Sequence, residues 1–220
     1  MYAAQNPKHE KRLVFQVSGK LWQRSLVMRD LQTGSLWSHL LGEAMAGPLK
    51  GTTLKPIPSI ITSWGEWREK HPNTTVLNLD PSARKFDTKA WKDRKRFVLG
   101  IEIGEKTKAW PFDFLGDNPV RIEKFAGQEL LIIFLKESAT AFAFENKTTI
   151  KSGQLDEGLF VSDDGTRWDL WTSKAVAGSQ KGKNLTRVYA LPSYRKAWLD
   201  FHSGSLIAGE EQEKQSPDSK

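Results

Sequence analysis

Four side chains in the first third of the chain have the types that do acid–base or nucleophilic work: Asp30, Ser35, Glu43 and His71. Asp30 ends the apolar run from Leu26 and sits beside a turn. Asp30 and Glu43 could form a carboxylate pair of the kind that cleaves glycosides, but nothing in the spacing sets their separation. A hydrolase therefore has no geometric footing and ranks last. His71 falls in the last turn of a predicted helix, where the dipole favours a protonated imidazole. A second set is suited to contact rather than catalysis. Trp22, Trp64, Trp110 and Trp171, with Glu66 beside two of the helix aromatics, could hold a glycan, a peptide or a protein surface. Cys is absent, which excludes disulfides and thiolate metal sites within this chain. The four histidines (His9, His39, His71, His202) lack the spacing of a metal motif, so neither a metal nor a cofactor is expected.

The elements that position these residues come in duplicate. Residues 34–71 align with 165–202 at a spacing of 131, without a gap, and ten of the 38 pairs are identical. Chance gives roughly two. The kept positions include Gly34/Gly165, Trp37/Trp168, Gly47/Gly178, Gly51/Gly182, Trp67/Trp198 and His71/His202. A residue kept in both repeats is read as one the fold needs. His71 and His202 are therefore read as caps or packed rings before they are read as bases. Residues that differ are the better functional candidates: Glu43 becomes Lys174 and Glu66 becomes Ala197.

The fold class that follows is α+β, mainly β. It comprises two related subdomains, each a twisted antiparallel sheet with a hairpin and one packed helix. Leu13–Val17 reads as a strand. Leu26–Asp30 and Ser35–Leu40 flank a turn, as Leu159–Ser162 and Thr166–Trp171 flank Asp163-Asp164-Gly165. Gly47-Pro-Leu-Lys-Gly51 and its counterpart from Gly178 have the wrong spacing for a phosphate loop and read as turns. Ile60, Trp64, Trp67 and His71 form one helical stripe, and Leu191, Tyr194, Trp198 and His202 the other. Each helix is expected to pack its Trp face on the sheet of its own repeat. Glu129–Leu135 reads as a strand buried on both faces.

The first repeat spans 1–80, a basic connection 81–96, the second repeat 97–208 and a disordered tail 209–220. The strands from Phe97 to about Ala141 have no counterpart ahead of the first repeat. Met1-Tyr-Ala-Ala4 resembles Ala141–Phe144, so the first repeat is expected to be incomplete by about 45 residues. An incomplete repeat leaves an open sheet edge, through which the chain is expected to self-associate. The net charge is +7, but Asp87 and Asp93 interrupt the basic run and only Trp91 could stack within it, so no nucleic-acid partner is expected. No apolar run is long enough to span a membrane. No export signal is present in the chain as given. An exported or periplasmic location follows if one precedes it, and otherwise a cytoplasmic one.

Thr33–Ser38, Gly42–Pro48 and Trp64–Pro72, with Val17–Leu21 and Leu26–Asp30, resemble the bacterial domain-of-unknown-function family 3179. The resemblance runs to about residue 208 and is sharper in the first repeat. The family has no established activity. Its members usually carry a Cys-x-x-Cys-type motif just upstream of the position of Met1, and in some a selenocysteine replaces one cysteine. The resemblance thus implies a full-length thiol or selenol redox protein whose motif lies outside this chain. Asp30, Ser35, Glu43 and His71 would surround the missing nucleophile. The alternative is a non-catalytic ligand-binding or scaffold module that uses aromatics between the repeats.

Overall fold

The computed structural model describes residues 1–5, 12–76, 93–148 and 150–210. The basic residues Arg84, Lys85, Lys89 and Lys92 and the tail past residue 210 lie outside the described residues. The described chain is α+β and mainly β, with four four-stranded sheets and three short α-helices.

The first repeat forms one antiparallel sheet of β1 (Phe15–Trp22), β2 (Ser25–Asp30), β3 (Leu36–Ser38) and β4 (Ala44–Ala46), in that spatial order. The β1–β2 turn is Gln23-Arg24, both at positive φ (46° and 62°), the geometry of a two-residue hairpin loop. The ladder slips between Val17 and Lys20, where Ser18 and Gly19 have no partner. Helix α1 covers Trp64–Lys70.

The second repeat opens with β5 (Phe97–Ile103), β6 (Lys106–Pro111), helix α2 (Phe112–Asp117), β7 (Val120–Phe125), β8 (Gln128–Leu135) and β9 (Thr140–Glu145). Its own sheet is β10 (Gly153–Asp156), β11 (Leu159–Ser162), β12 (Arg167–Asp169) and β13 (Lys174–Ala177). There follow β14 (Thr186–Arg187), paired to β9; β15 (Leu191–Tyr194), paired to β5; helix α3 (Arg195–Phe201); and β16 (Leu206–Ile207), parallel to β6.

The duplication holds to the level of single hydrogen bonds. Leu36 faces Ala46 and Trp37 faces Ala44, with a register shift between; Arg167 faces Ala177 and Trp168 faces Ala175, with the same shift. Glu43 bridges Thr53 as Lys174 bridges Asn184. The Gly51 N–H donates to Ala44 O at 2.8 Å and that of Gly182 to Ala175 O at 2.9 Å.

By compactness the chain forms two units: Met1–Ser59 with Lys196–Ser203, and Ile60–Arg195 with the residues from Gly204. The second unit has two apolar clusters on opposite sides of β8. Leu130, Ile132 and Phe134 join Leu99, Trp110 and Phe112 in one; Leu131 and Ile133 join Phe142, Phe160 and Trp168 in the other. Alternation along a strand explains why β8 is apolar at nearly every position. The first unit has a smaller core of Leu13, Trp37, Ala44, Leu49 and Leu54, with Tyr2, Phe15 and Met28 against it.

The helices depart from expectation in two ways. They are shorter than their stripes. Ser63 caps α1, its Oγ accepting from the Glu66 N–H at 3.2 Å, so Ile60–Ser63 lies ahead of the helix. In the second repeat Leu191–Tyr194 is strand, because Pro192 disfavours helix at the residue before it. The helices are also exchanged. Trp67 and His71 of α1 meet the edge of Trp171 at 6.3 Å within the second unit. Phe201 of α3 meets Trp22 edge-on at 4.8 Å within the first. Packing of each helix on its own repeat is thereby corrected. Each helix thus belongs to the unit that holds the other repeat's sheet.

Candidate functional site

Asp30 and Ser35 lie at the two ends of the β2–β3 turn, and both are fully buried. The Asp30 carboxylate accepts from the Thr33 backbone N–H (2.6 Å), from the Thr33 hydroxyl (2.9 Å) and from the Trp37 indole N–H (2.9 Å). Burial alone would raise its pKa. The hydrogen bonds from Trp37, Thr33 and Ser35 outweigh that and hold it below the ordinary carboxylate value. The Ser35 hydroxyl shares a 2.6 Å hydrogen bond with Thr33 and accepts from the Leu49 N–H at 3.0 Å. Both side chains are spent on fastening the hairpin under Trp37.

The second repeat fastens its hairpin with the roles reversed. The Trp168 indole N–H donates to Ser162 Oγ at 3.0 Å, and that hydroxyl donates to Asp164 at 2.7 Å. Asp164 also accepts from Gln180, Ser179 and Thr166. The bond from Gln180 first, then those from Ser162, Ser179 and Thr166, drive its pKa far below the usual carboxylate range. Gly47 and Gly178 serve the same design. At φ +95° and +93°, a Cβ on either would stand 2.7 and 2.6 Å from the Cα of Ser35 and Thr166. Only glycine allows that approach.

The remaining candidates are distributed as follows. Trp110 is fully buried and donates to Glu123 at 2.9 Å, beside the Lys108–Glu123 ion pair. Trp171 is half-buried against Phe142 (5.6 Å). Trp64 is exposed on α1, where Glu66 is half-buried. His71 lies against Trp67 in a tilted ring contact at 3.9 Å, as His202 lies against Trp198 at 4.1 Å. The His71 and His202 backbone N–H groups close their helices on Trp67 O and Trp198 O.

Two candidates come together. Trp22 and Glu43 line one open groove of about 450 Å³ on the sheet of the first unit, with Lys20, Leu21, Val27, Leu36 and Met45. Val27, Leu36 and Met45 belong to the face opposite Trp37, since neighbours along a strand point to opposite sides. In the second repeat, Arg167 and Val176 stand where Leu36 and Met45 do, and Arg167 pairs with Asp156 at 3.0 Å. The groove has a wall because β1 and β2 are longer than their counterparts. Nine residues join Val17 to Val27, where three join Leu155 to Leu159. Lys20, Leu21, Leu36 and Met45 are not marked as site residues by residue type alone. The signal was there in the longer hairpin and in the apolar-for-basic change at position 36.

The fold and groove define a duplicated, mainly antiparallel α+β protein with an apolar groove on the sheet of the first repeat. The chain belongs to the family described as protein of unknown function DUF3179, whose profile matches residues 2–205. Comparison with curated proteins and with solved structures gave no match.

Proposed function

We propose that the chain is a non-catalytic binding module whose working surface is the groove on the first repeat. The observation that carries this reading is the lengthened β1–β2 hairpin. It supplies Leu21 and Trp22 as a wall over an apolar floor that the second repeat lacks. Grooves of a few hundred Å³ with an apolar lining and few polar groups suit small apolar ligands. Among its described lining residues, Lys20 and Glu43 are the charged ones. That supports an apolar peptide segment over a glycan, which needs many hydrogen-bonding partners. The test is calorimetric titration with short Leu- and Phe-rich peptides, with a glycan array in parallel. Leu36→Arg, which installs the second repeat's residue, is expected to weaken peptide binding at least tenfold. Glycan binding without peptide binding, or peptide binding unchanged by Leu36→Arg, removes the reading.

A thiol or selenol redox role for a longer polypeptide is supported by one observation. Tyr2 bridges Pro56 as Phe144 faces Arg187, so Met1 corresponds to Ala143. Just ahead of Ala143, the second repeat buries two hydroxyls, Ser138 and Thr140, 2.7 Å apart, with Thr140 also 2.7 Å from Thr62. The family's cysteine motif would fall at that strand entry in the first repeat, where the duplicated fold accepts small polar side chains. Sequencing the DNA ahead of Met1 tests it. In-frame continuation through TGA into strand-like sequence is the expected result, and stops in every frame remove it.

A further inference from the structure

The groove on the first repeat carries a charge at each end. Lys20 faces Val27 on the next strand, Val27 faces Ser38, and the Ser38 N–H donates to Glu43 O at 2.8 Å. These residues form one row across the sheet, from β1 at one edge to the start of β4 at the other. Residues that face each other directly share a side of a sheet, so Lys20 and Glu43 stand with Val27 on the groove side. Three strand spacings separate them, about 14 Å.

Both charges are left open. Among the described residues neither side chain forms an ion pair. Arg29, beside Leu36 on the same side, is taken up by the Gln16 side chain at 2.9 Å. The second repeat shows the closed version of the row. Phe15 faces Asp30 as Gly153 faces Ser162, and counting ladder rungs from there puts Asp156 in the place of Lys20. Asp156 is paired at 3.0 Å with Arg167, which stands in the place of Leu36. The first repeat has an aliphatic side chain where the second has the counter-charge.

We infer that the groove takes a free apolar oligopeptide of about four residues, held by both of its charged termini. The inference rests on the peptide-binding reading and specifies the ligand. An extended chain of about four residues spans about 14 Å, the length of the row. Its C-terminal carboxylate meets Lys20 and its N-terminal ammonium meets Glu43. Free termini place the charges at the backbone ends and leave every side chain for Val27, Leu36 and Met45. A segment inside a longer chain would spend side chains on the charges and would have to leave the groove at both ends. Trp22 is set as the wall before any ligand arrives, because Phe201 holds its ring edge-on at 4.8 Å.

The test is calorimetric titration at low salt with a tetrapeptide of Leu, Phe and Ala, in free, N-acetylated and C-amidated forms. Each cap is expected to weaken binding about threefold, the worth of one solvent-exposed ion pair. Both penalties should vanish in 1 M salt, where charges are screened within about 3 Å. Glu43→Gln should remove the acetylation penalty alone, and Lys20→Ala the amidation penalty alone. That crossed pattern fixes the direction of the peptide and does not follow from a general loss of fold. Caps without effect at low salt overturn the inference. So does a doubly capped octapeptide, with the same four residues at its centre, that binds as tightly as the free tetrapeptide. In either case binding that Leu36→Arg still weakens leaves the groove reading standing. Absence of binding by every peptide removes that reading and this inference together.

Discussion

The equivalent indoles Trp37 and Trp168 are both fully buried, and a buried indole N–H must find an acceptor. Trp37 finds a carboxylate and Trp168 a hydroxyl that a carboxylate backs. Asp30→Asn removes the charge while keeping the shape, so it should cost about 1.5–3 kcal/mol, the worth of hydrogen bonds to an ionised group. Urea denaturation of the variant measures it. The pH dependence follows from the depressed carboxylate. Its stabilisation is complete above the unfolded value near 3.8 and is lost as pH falls through the lower folded value. Stability of the native chain should therefore drop below about pH 4, and Asp30→Asn should flatten that slope. Asp164 carries the same sign, but solvent around it screens most of the effect. The residue scale also shows why Asp30 and Ser35 were easy to see and hard to interpret. Their types suit catalysis, and only their burial and partners show them fastening a turn.

At the scale of elements the hairpins were legible and the helix starts were not. Asp-Gly at 164–165 and glycine at 34 mark turns by local chemistry alone, and both glycines have positive φ. The stripes from Ile60 and Leu191 ran too far because an extended segment entering a helix can carry apolar residues at helical spacing. Ser63 with Glu66 three residues on was the overlooked start signal. The exchange of α1 and α3 gives a direct prediction. Phe201→Ala should destabilise by roughly 1–3 kcal/mol and speed amide exchange around Trp22, in the first repeat. Trp67→Ala should do the same around Trp171, in the second. Helices packed on their own repeats would show the reverse pattern, so exchange mass spectrometry on the two variants decides the matter.

At the scale of the whole molecule the two units differ in core size. Two clusters around β8 hold the second, against one small cluster in the first. Amides of β1–β4 should therefore exchange faster than those of β8 and β9 by more than tenfold, because local opening follows the apolar contacts that oppose it. Uniform protection across both would contradict it. Among the described residues no helix is long and apolar enough to cross a membrane. The sequence by itself determined the duplication, the turns, the mainly β class and the family. Those depend on residue identity and on interactions a few positions apart, which leave a readable pattern. Which socket each helix fills, which face of the first sheet forms a recess and which candidate side chains stay accessible were decided only by the tertiary structure. Trp67 and Trp198 carry the same local signals, and those signals do not say which unit each helix joins. The choice rests on contacts between residues more than a hundred positions apart, such as Trp67 with Trp171 and Trp22 with Phe201.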